Sequence, residues 1–402
     1  MSTRRSPPAL TTLYLLAAIS PLTLNMIVPS LANIAQDLRA DYALISLAFG
    51  GYLAVTALVE LAVGPLSDRI GRRPVLLVAI AVFTAASIGC ASAQSAEAFL
   101  AFRMLQAGAI SGYVLSFAIV RDTRDGPDVV ALLGRIGMAM ALAPMLGPTI
   151  GSLFDTLFGW RTVFLLYTCL GLGLVCVLWF DLGETAPERS STDDGAERSV
   201  CALLRAPLFW CYALCTATSV SVFYIFLAGA PLIASAVFGI TTATLGLFIG
   251  SITVGFFVGS FLASHLAARY PGTTVMLLGR GVACAGLLIG CAIVALGAAT
   301  PLLYFGATVF AGLGNGLTLP GSNAGAMAIR PKLAGSAAGI MGAMTLAGGA
   351  ALATLTGLAI TRYTAPEVLL ILMLSSAGAG LMFAALAAWL ERHRTTSGTA
   401  RS

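Results

Sequence analysis

Charge is scarce in this chain: Asp, Glu, Lys and Arg make up 10% of its 402 residues, while 58% are hydrophobic. Soluble domains carry roughly a quarter of their residues charged, so this balance excludes an ordinary soluble fold. The formal charge of +5 comes from arginines beside apolar runs and reports topology, not affinity for nucleic acid. Histidine is nearly absent. His265 and His393 both fall at the ends of apolar runs, and no metal-ligand spacing, catalytic triad or phosphate-cradling loop occurs. The sequence therefore points to no enzyme, no cofactor and no metal. Cys90, Cys169, Cys176, Cys211, Cys215, Cys284 and Cys291 lie in apolar runs and read as small buried side chains, and Cys201 lies in a polar stretch where a disulfide is not favoured.

What the chain has in quantity is apolar length. Runs of roughly twenty residues, each enough to cross about 30 Å of hydrocarbon, recur from Leu10 to Leu390. They predict about twelve spans, near residues 11–33, 44–63, 75–93, 98–120, 135–158, 162–181, 208–230, 243–265, 274–296, 302–326, 334–358 and 368–390. The expected fold is all-α and embedded in a lipid bilayer. Most basic residues, among them Arg4, Arg69, Arg121, Arg205, Arg269, Arg330 and Arg392, fall on one side of this count, and Arg39, Arg161 and Arg362 flank the other. Basic residues near span ends resist translocation, so the crowded side is expected to be cytoplasmic, with an even number of spans and both termini inside. The first apolar run continues past the length of a signal-peptide core and reads as a retained helix.

One stretch interrupts the rhythm. Gly183 to Ala206, GETAPERSSTDDGAERSVCALLRA, is rich in charge, Ser and Gly and reads as a linker. It separates an expected six-helix bundle over 1–182 from a second over 207–402 with a short tail. The halves echo each other: the second span runs into GPLSDRIGRRP (Gly64 to Pro74) and the eighth into GSFLASHLAARYP (Gly259 to Pro271). Repeats of this kind are the architecture of many secondary transporters. The 44 glycines cluster with Ala and Ser in the eleventh span, from Gly335 to Gly357, which reads as close helix packing or as a sliding surface.

Gly64, Asp68, Arg69, Gly71, Arg72 and Arg73 form an expected short turn between two spans. Asp68 can act as an anion near the start of the third span, and the arginines can pair with acids at neighbouring helix ends such as Asp122. The turn then reads as a latch, with a plain positive-inside anchor as the alternative. In the fifth span, Pro144 and Pro148 each remove a backbone donor, while Gly147 and Gly151 permit close contact with a neighbour. Such a helix can seal one face of a cavity or be an ordinary kinked span.

The Gly64–Arg73 stretch resembles the loop signature of the major facilitator superfamily, and further matches resemble its drug:proton antiporters with twelve spans. APMLGPTIG (Ala143 to Gly151) looks like their antiporter motif, and Arg103-Met104-Leu105-Gln106 like their fourth-span motif. Gly159-Trp160-Arg161 and Gly183-Glu184-Thr185 also match. Together they look most like the bicyclomycin and chloramphenicol resistance-type branch, and the second half matches more loosely. The resemblance implies the major facilitator fold, two six-helix bundles in a bacterial inner membrane, and export of small molecules against protons by a monomer working by alternating access.

The resemblance also implies an acid in the first span, where this chain has Asn25, which does not titrate. Asp37, at the end of that span, is expected to be a cap or a partner for Arg39. The second span carries Glu60, which reads as the leading proton carrier or as a carboxyl bonded to a neighbouring helix. Tyr52 and Thr56 precede it on nearly the same side. Rise per residue places Glu60 and Arg103 on the order of 15 Å apart in depth, with Asn25 nearer the depth of Arg103. Arg103 and Gln106 therefore read either as receivers of the polar part of a neutral or weakly acidic substrate, or as donors to backbone carbonyls and neighbouring helices. Asn25, Tyr52, Tyr113, Phe223, Tyr224, Phe256, Asn315 and Asn323 are further cavity candidates by type and depth. Two functions follow: proton-coupled efflux of small amphiphilic drugs, or export or facilitation of a specific metabolite with weak or no proton coupling.

Overall fold

The structure is a computed structural model that describes residues 8–123, 136, 146–185, 203–267, 269–330, 334–362 and 365–399. The described residues form α-helices joined by short turns, with no strand among them. Helix α1 (Leu10–Met26) runs through a 3-10 turn at Val28–Ser30 into α2 (Leu31–Asp37), making one span interrupted at Pro29, which has no N–H to extend the ladder. Then follow α3 (Tyr42–Ile70), α4 (Arg72–Ser92), α5 (Ala96–Leu105), α6 (Ile110–Thr123), α7 (residues 146–158) and α8 (Arg161–Asp181). The second half holds α9 (Pro207–Ala236), α10 (Thr242–Leu266), α11 (Gly272–Ala295), α12 (Pro301–Ala328), α13 (Ala334–Arg362) and α14 (Pro366–Thr399).

Eleven spans among the described residues are long and apolar enough to cross a membrane. Helix α7 belongs to the expected fifth span, the earlier part of which lies outside the described residues. Large apolar side chains such as Leu58, Val78, Phe180, Leu296 and Leu302 are exposed. In lipid this is the favourable arrangement, since helices satisfy their own backbone and can present hydrocarbon outward.

Local chemistry explains the boundaries. Asp41 caps α3 by accepting from the Ala43 N–H at 3.2 Å, Ser95 caps α5 through Ala98, and Thr300 caps α12 through Leu303. Pro207 and Pro301 sit in the first turn of their helices, where a missing N–H goes unnoticed. The expected turn at Gly64–Arg73 is mostly helix. Helix α3 continues through Pro65 to Ile70, and the single break is Gly71, whose φ of 110° only glycine adopts readily. Near the end of a helix, Pro65 forfeits one ladder bond and leaves the rest intact.

By internal contacts the chain divides into one unit of Met1–Ser190 with Ile240–Gly250 and another of Ser191–Gly239 with Ser251–Ser402. In the first unit Phe99 packs edge-on against Phe164 at 5.5 Å and Phe164 against Tyr167 at 5.7 Å. In the second, Phe226 meets Phe305 at 6.1 Å.

Candidate functional site

Arg103 ends α5 and is 0% exposed. A buried guanidinium needs its donors satisfied, and three helices supply the acceptors. Nε donates to the Ala48 carbonyl at 3.0 Å, Nη2 to the Thr23 carbonyl at 3.0 Å, and Nη1 to Gln106 Oε1 at 2.7 Å. Gln106 Nε2 passes the chain on to Ser87 Oγ at 2.7 Å. The Tyr52 ring lies 4.1 Å from the guanidinium carbon, adding a cation–π contact. No ion pair to Arg103 occurs among the described residues. Of the two readings of Arg103 and Gln106, this geometry supports packing. Both residues are 0% exposed, and their donors already face protein acceptors rather than a substrate.

Asn25 and Glu60 are different, because each keeps a polar atom unused. Asn25 is 2% exposed, its Nδ2 donates back to the Pro21 carbonyl at 2.7 Å, and its Oδ1 is buried without a partner. Glu60 is half-buried, and its Oε2 is buried without a partner. Tyr113 of α6 lies within electrostatic reach of Glu60, and its ring packs on Phe117 at 5.0 Å. Among the described residues no cation pairs with this carboxyl to hold its charge. That is the condition for a group that gains and loses a proton.

Arg72 organises the Gly71 break. Its guanidinium meets Asp68 at 2.6 Å, Asp122 at 3.0 Å and Ser67 Oγ at 2.5 Å, and its backbone N–H donates to Glu184 at 2.8 Å. Arg73 donates to the Trp179 carbonyl at 2.9 Å. The break therefore ties together the ends of α3, α4, α6 and α8, while Arg69 stays exposed. Glu184, in the tripeptide Gly183-Glu184-Thr185, accepts from the Arg72 N–H and approaches Gly71 closely, which gives it a role that the motif match alone does not indicate. At the opposite ends of these helices Asp37 pairs with Arg161 and accepts from Trp160 Nε1 at 3.1 Å. Arg39, the expected partner, lies across a turn with a φ of 49°. A second buried carboxyl, Asp155, accepts from Asn33 at 2.8 Å.

Gly147 and Gly151 of α7 face the end of α1. A β-carbon on Gly147 would stand 3.1 Å from Asn25 Cβ, and one on Gly151 would stand 1.9 Å from the Met26 carbonyl oxygen. Pro148 is buried, and Pro144 lies outside the described residues.

The second unit holds a buried cation that the sequence reading passed over. Arg280 of α11 is 0% exposed, with Nε on Thr318 Oγ1 at 3.0 Å and Nη2 on Asn315 Oδ1 at 2.5 Å, while Nη1 has no partner. The signal was present: an arginine inside MLLGRGVACAGLL, as conspicuous as Arg103. Asn323 accepts from Thr216 Oγ1 at 3.4 Å on the same helix as Asn315. Phe223 and Tyr224 lie together on α9, and Gly349 leaves room for the Tyr224 ring. The seven described cysteines are free.

Residues 13–354 match the family description Major Facilitator Superfamily. A chloramphenicol resistance protein of Pseudomonas aeruginosa is 31% identical over 277 residues, 67% of this chain, and the match spans 65% of that relative's length. Multidrug resistance protein MdtL of Escherichia coli O45:K1 is 31% identical over 301 residues, covering 69% of this chain and 77% of the relative. Among solved structures, a D-xylose–proton symporter superposes with a TM-score of 0.74 at 14% identity, over 94% of this chain and 96% of that one. An inward-facing bacterial homologue of the lysosomal transporter Spinster superposes with a TM-score of 0.71 at 16% identity, over 94% of each chain.

Proposed function

We propose, for a chain that belongs to the major facilitator superfamily, proton-coupled export of small amphiphilic drugs, with neutral or weakly acidic compounds preferred. The protein is a multi-pass membrane transporter and not an enzyme. The export reading draws on the relatives named for chloramphenicol and multidrug resistance. The observation that carries the coupling is Glu60, whose Oε2 is buried without a partner, while Asn25 stands where an acid was expected. In this reading Glu60 exchanges a proton as the two bundles alternate, and Tyr113 is the nearby hydroxyl. The substrate preference follows from charge in the second unit: Arg280 is buried with no carboxylate beside it among the described residues. A lipophilic cation gains little there. Both termini lie in the cytoplasm of a bacterial inner membrane, on the side rich in arginine, and the chain acts as a monomer.

Uptake of chloramphenicol into everted membrane vesicles, with and without an imposed proton gradient, tests this directly. Wild type is expected to concentrate the drug only with the gradient, and Glu60→Gln is expected to lose that dependence. Equal accumulation by wild type with and without the gradient would remove the coupling claim.

Asn25 also favours a second reading, an exporter or facilitator of one metabolite with weak or no coupling, because an amide in place of an acid cannot carry a proton. A deletion strain that accumulates a metabolite without altered drug tolerance would support it over drug export.

A further inference from the structure

Among the described residues each unit contains one fully buried arginine bonded to the side-chain oxygen of an amide residue, and the two pairs end differently. In the first, Arg103 donates to Gln106 Oε1 and Gln106 Nε2 donates to Ser87, which donates in turn to the Phe83 carbonyl at 2.7 Å. That chain is closed, and its amide is 0% exposed. In the second, Arg280 donates to Asn315 Oδ1 at 2.5 Å, and among the described residues no acceptor faces Asn315 Nδ2. Asn315 is 6% exposed, so the open end of this chain keeps some accessible surface.

The orientation of the Asn315 amide is dictated by chemistry. A guanidinium has donors only, so it must face the oxygen, and the NH2 group must point away. Turning the amide over would oppose donor to donor beside a buried charge. The platform is equally constrained. A β-carbon on Gly314 would stand 2.4 Å from the Gly279 carbonyl oxygen, one on Gly312 1.9 Å from that of Ile252, and one on Gly316 2.2 Å from that of Phe256. Helix α12 is thus held against the backbones of α10 and α11 on either side of Asn315. An amide fixed this way presents two N–H donors, and the unpartnered Nη1 of Arg280 leaves uncompensated positive charge behind them.

We infer that Asn315 is a substrate contact that donates to an acceptor oxygen of an uncharged or anionic small molecule, with Arg280 as its positioning residue. This rests on the export reading above and names the group in the second unit that would read such a substrate. The ligands expected to fit carry nitro, carbonyl, sulfonyl or carboxylate oxygens. A purely hydrocarbon-substituted cation has no acceptor to offer and meets the charge of Arg280 unfavourably.

The test is equilibrium binding to the full-length protein in nanodiscs, with three probes: chloramphenicol (neutral, nitro and amide oxygens), nalidixic acid (a carboxylate) and tetraphenylphosphonium (a cation). Asn315→Leu removes the donors at similar size. Asn315→Asp replaces them with a carboxylate that gives Arg280 a counterion, so this variant retains a satisfied interior. Both substitutions are expected to weaken chloramphenicol and nalidixic acid by about tenfold, roughly the value of one good hydrogen bond, and Asn315→Asp is expected to raise the relative affinity for tetraphenylphosphonium. Arg280→Lys should give an intermediate loss for the first two probes. Chloramphenicol and nalidixic acid binding within twofold of wild type in Asn315→Asp would overturn the inference while leaving the export reading standing. A parallel fall for all three probes would also overturn it, since that is the mark of a structural role. A wild type that binds neither chloramphenicol nor nalidixic acid would remove both the export reading and this inference.

Discussion

The α-carbon of Gly151 lies so near α1 that a β-carbon there would stand 1.9 Å from the carbonyl oxygen of Met26. No side chain fits at that distance, so glycine at this position is a condition of the contact between the fifth span and the first. The neighbouring Asn25 stands where the resemblance implied an acid, and the seam also holds that position in place.

Gly151→Ala is therefore expected to force the two helices apart. Overpacking of this kind lowers stability by about 1–3 kcal/mol, seen as a lower thermal midpoint in detergent. Gly173→Ala is the control, because nothing lies within 4 Å of its would-be β-carbon and alanine favours the helix. An unchanged midpoint for Gly151→Ala alongside normal transport would show that the seam yields.

The spans were legible because the bilayer demands about twenty consecutive apolar residues, which no soluble pattern imitates. Their ends were less so: α3 was expected to stop near residue 63 and reaches Ile70, since a helix does not stop where hydrocarbon stops. The Arg72–Asp122 pair was readable from motif and spacing. Asp37 was expected to be a cap or a partner for Arg39, two positions away, while its partner Arg161 is 124 positions along the chain; composition carries no information about such contacts. Arg280 was missed for another reason: it matched no motif, although an arginine in an apolar run is itself the signal. The unused oxygens of Asn25 and Glu60 depend on which neighbours face them, which only coordinates supply.

Arg72 lies between two acids of unequal exposure, Asp68 at 61% and Asp122 at 13%. Screening by water makes the first pair weak and leaves the second strong. Asp122→Asn is expected to cost about 1–3 kcal/mol, less than a fully buried pair because Asp68 remains. Asp68→Asn should cost under about 1 kcal/mol. Transport rates in vesicles should fall in the same order, and equal effects would argue that the Gly71 break is an anchor without a latch.

Arg103→Lys separates packing from substrate contact. Lysine keeps the charge but cannot reach the Ala48 carbonyl, the Thr23 carbonyl and Gln106 together. Losing two satisfied acceptors in the interior is expected to lower stability by about 2–4 kcal/mol. The fraction that remains folded should bind substrate with near wild-type affinity. The opposite pattern, an unchanged thermal midpoint with substrate affinity reduced more than tenfold, would return Arg103 to the binding site.

The Asp37–Arg161 pair should behave unlike Arg72–Asp122, although both are carboxylate–guanidinium contacts between helix ends. Its side chains are 47% and 41% exposed, so water and salt screen the attraction and ordering two mobile side chains opposes it. Arg161 also donates to the Ala93 carbonyl at 3.1 Å and stacks 4.2 Å from the Trp160 ring, contacts that do not depend on the acid. Asp37→Asn retains an acceptor for Trp160 and is expected to shift stability by less than about 1 kcal/mol. That shift should shrink as salt is raised from about 0.1 to 1 M, where the screening length falls from about 10 to 3 Å. A loss as large as that of Asp122→Asn, unchanged by salt, would mean that this end of the bundle is held by charge after all.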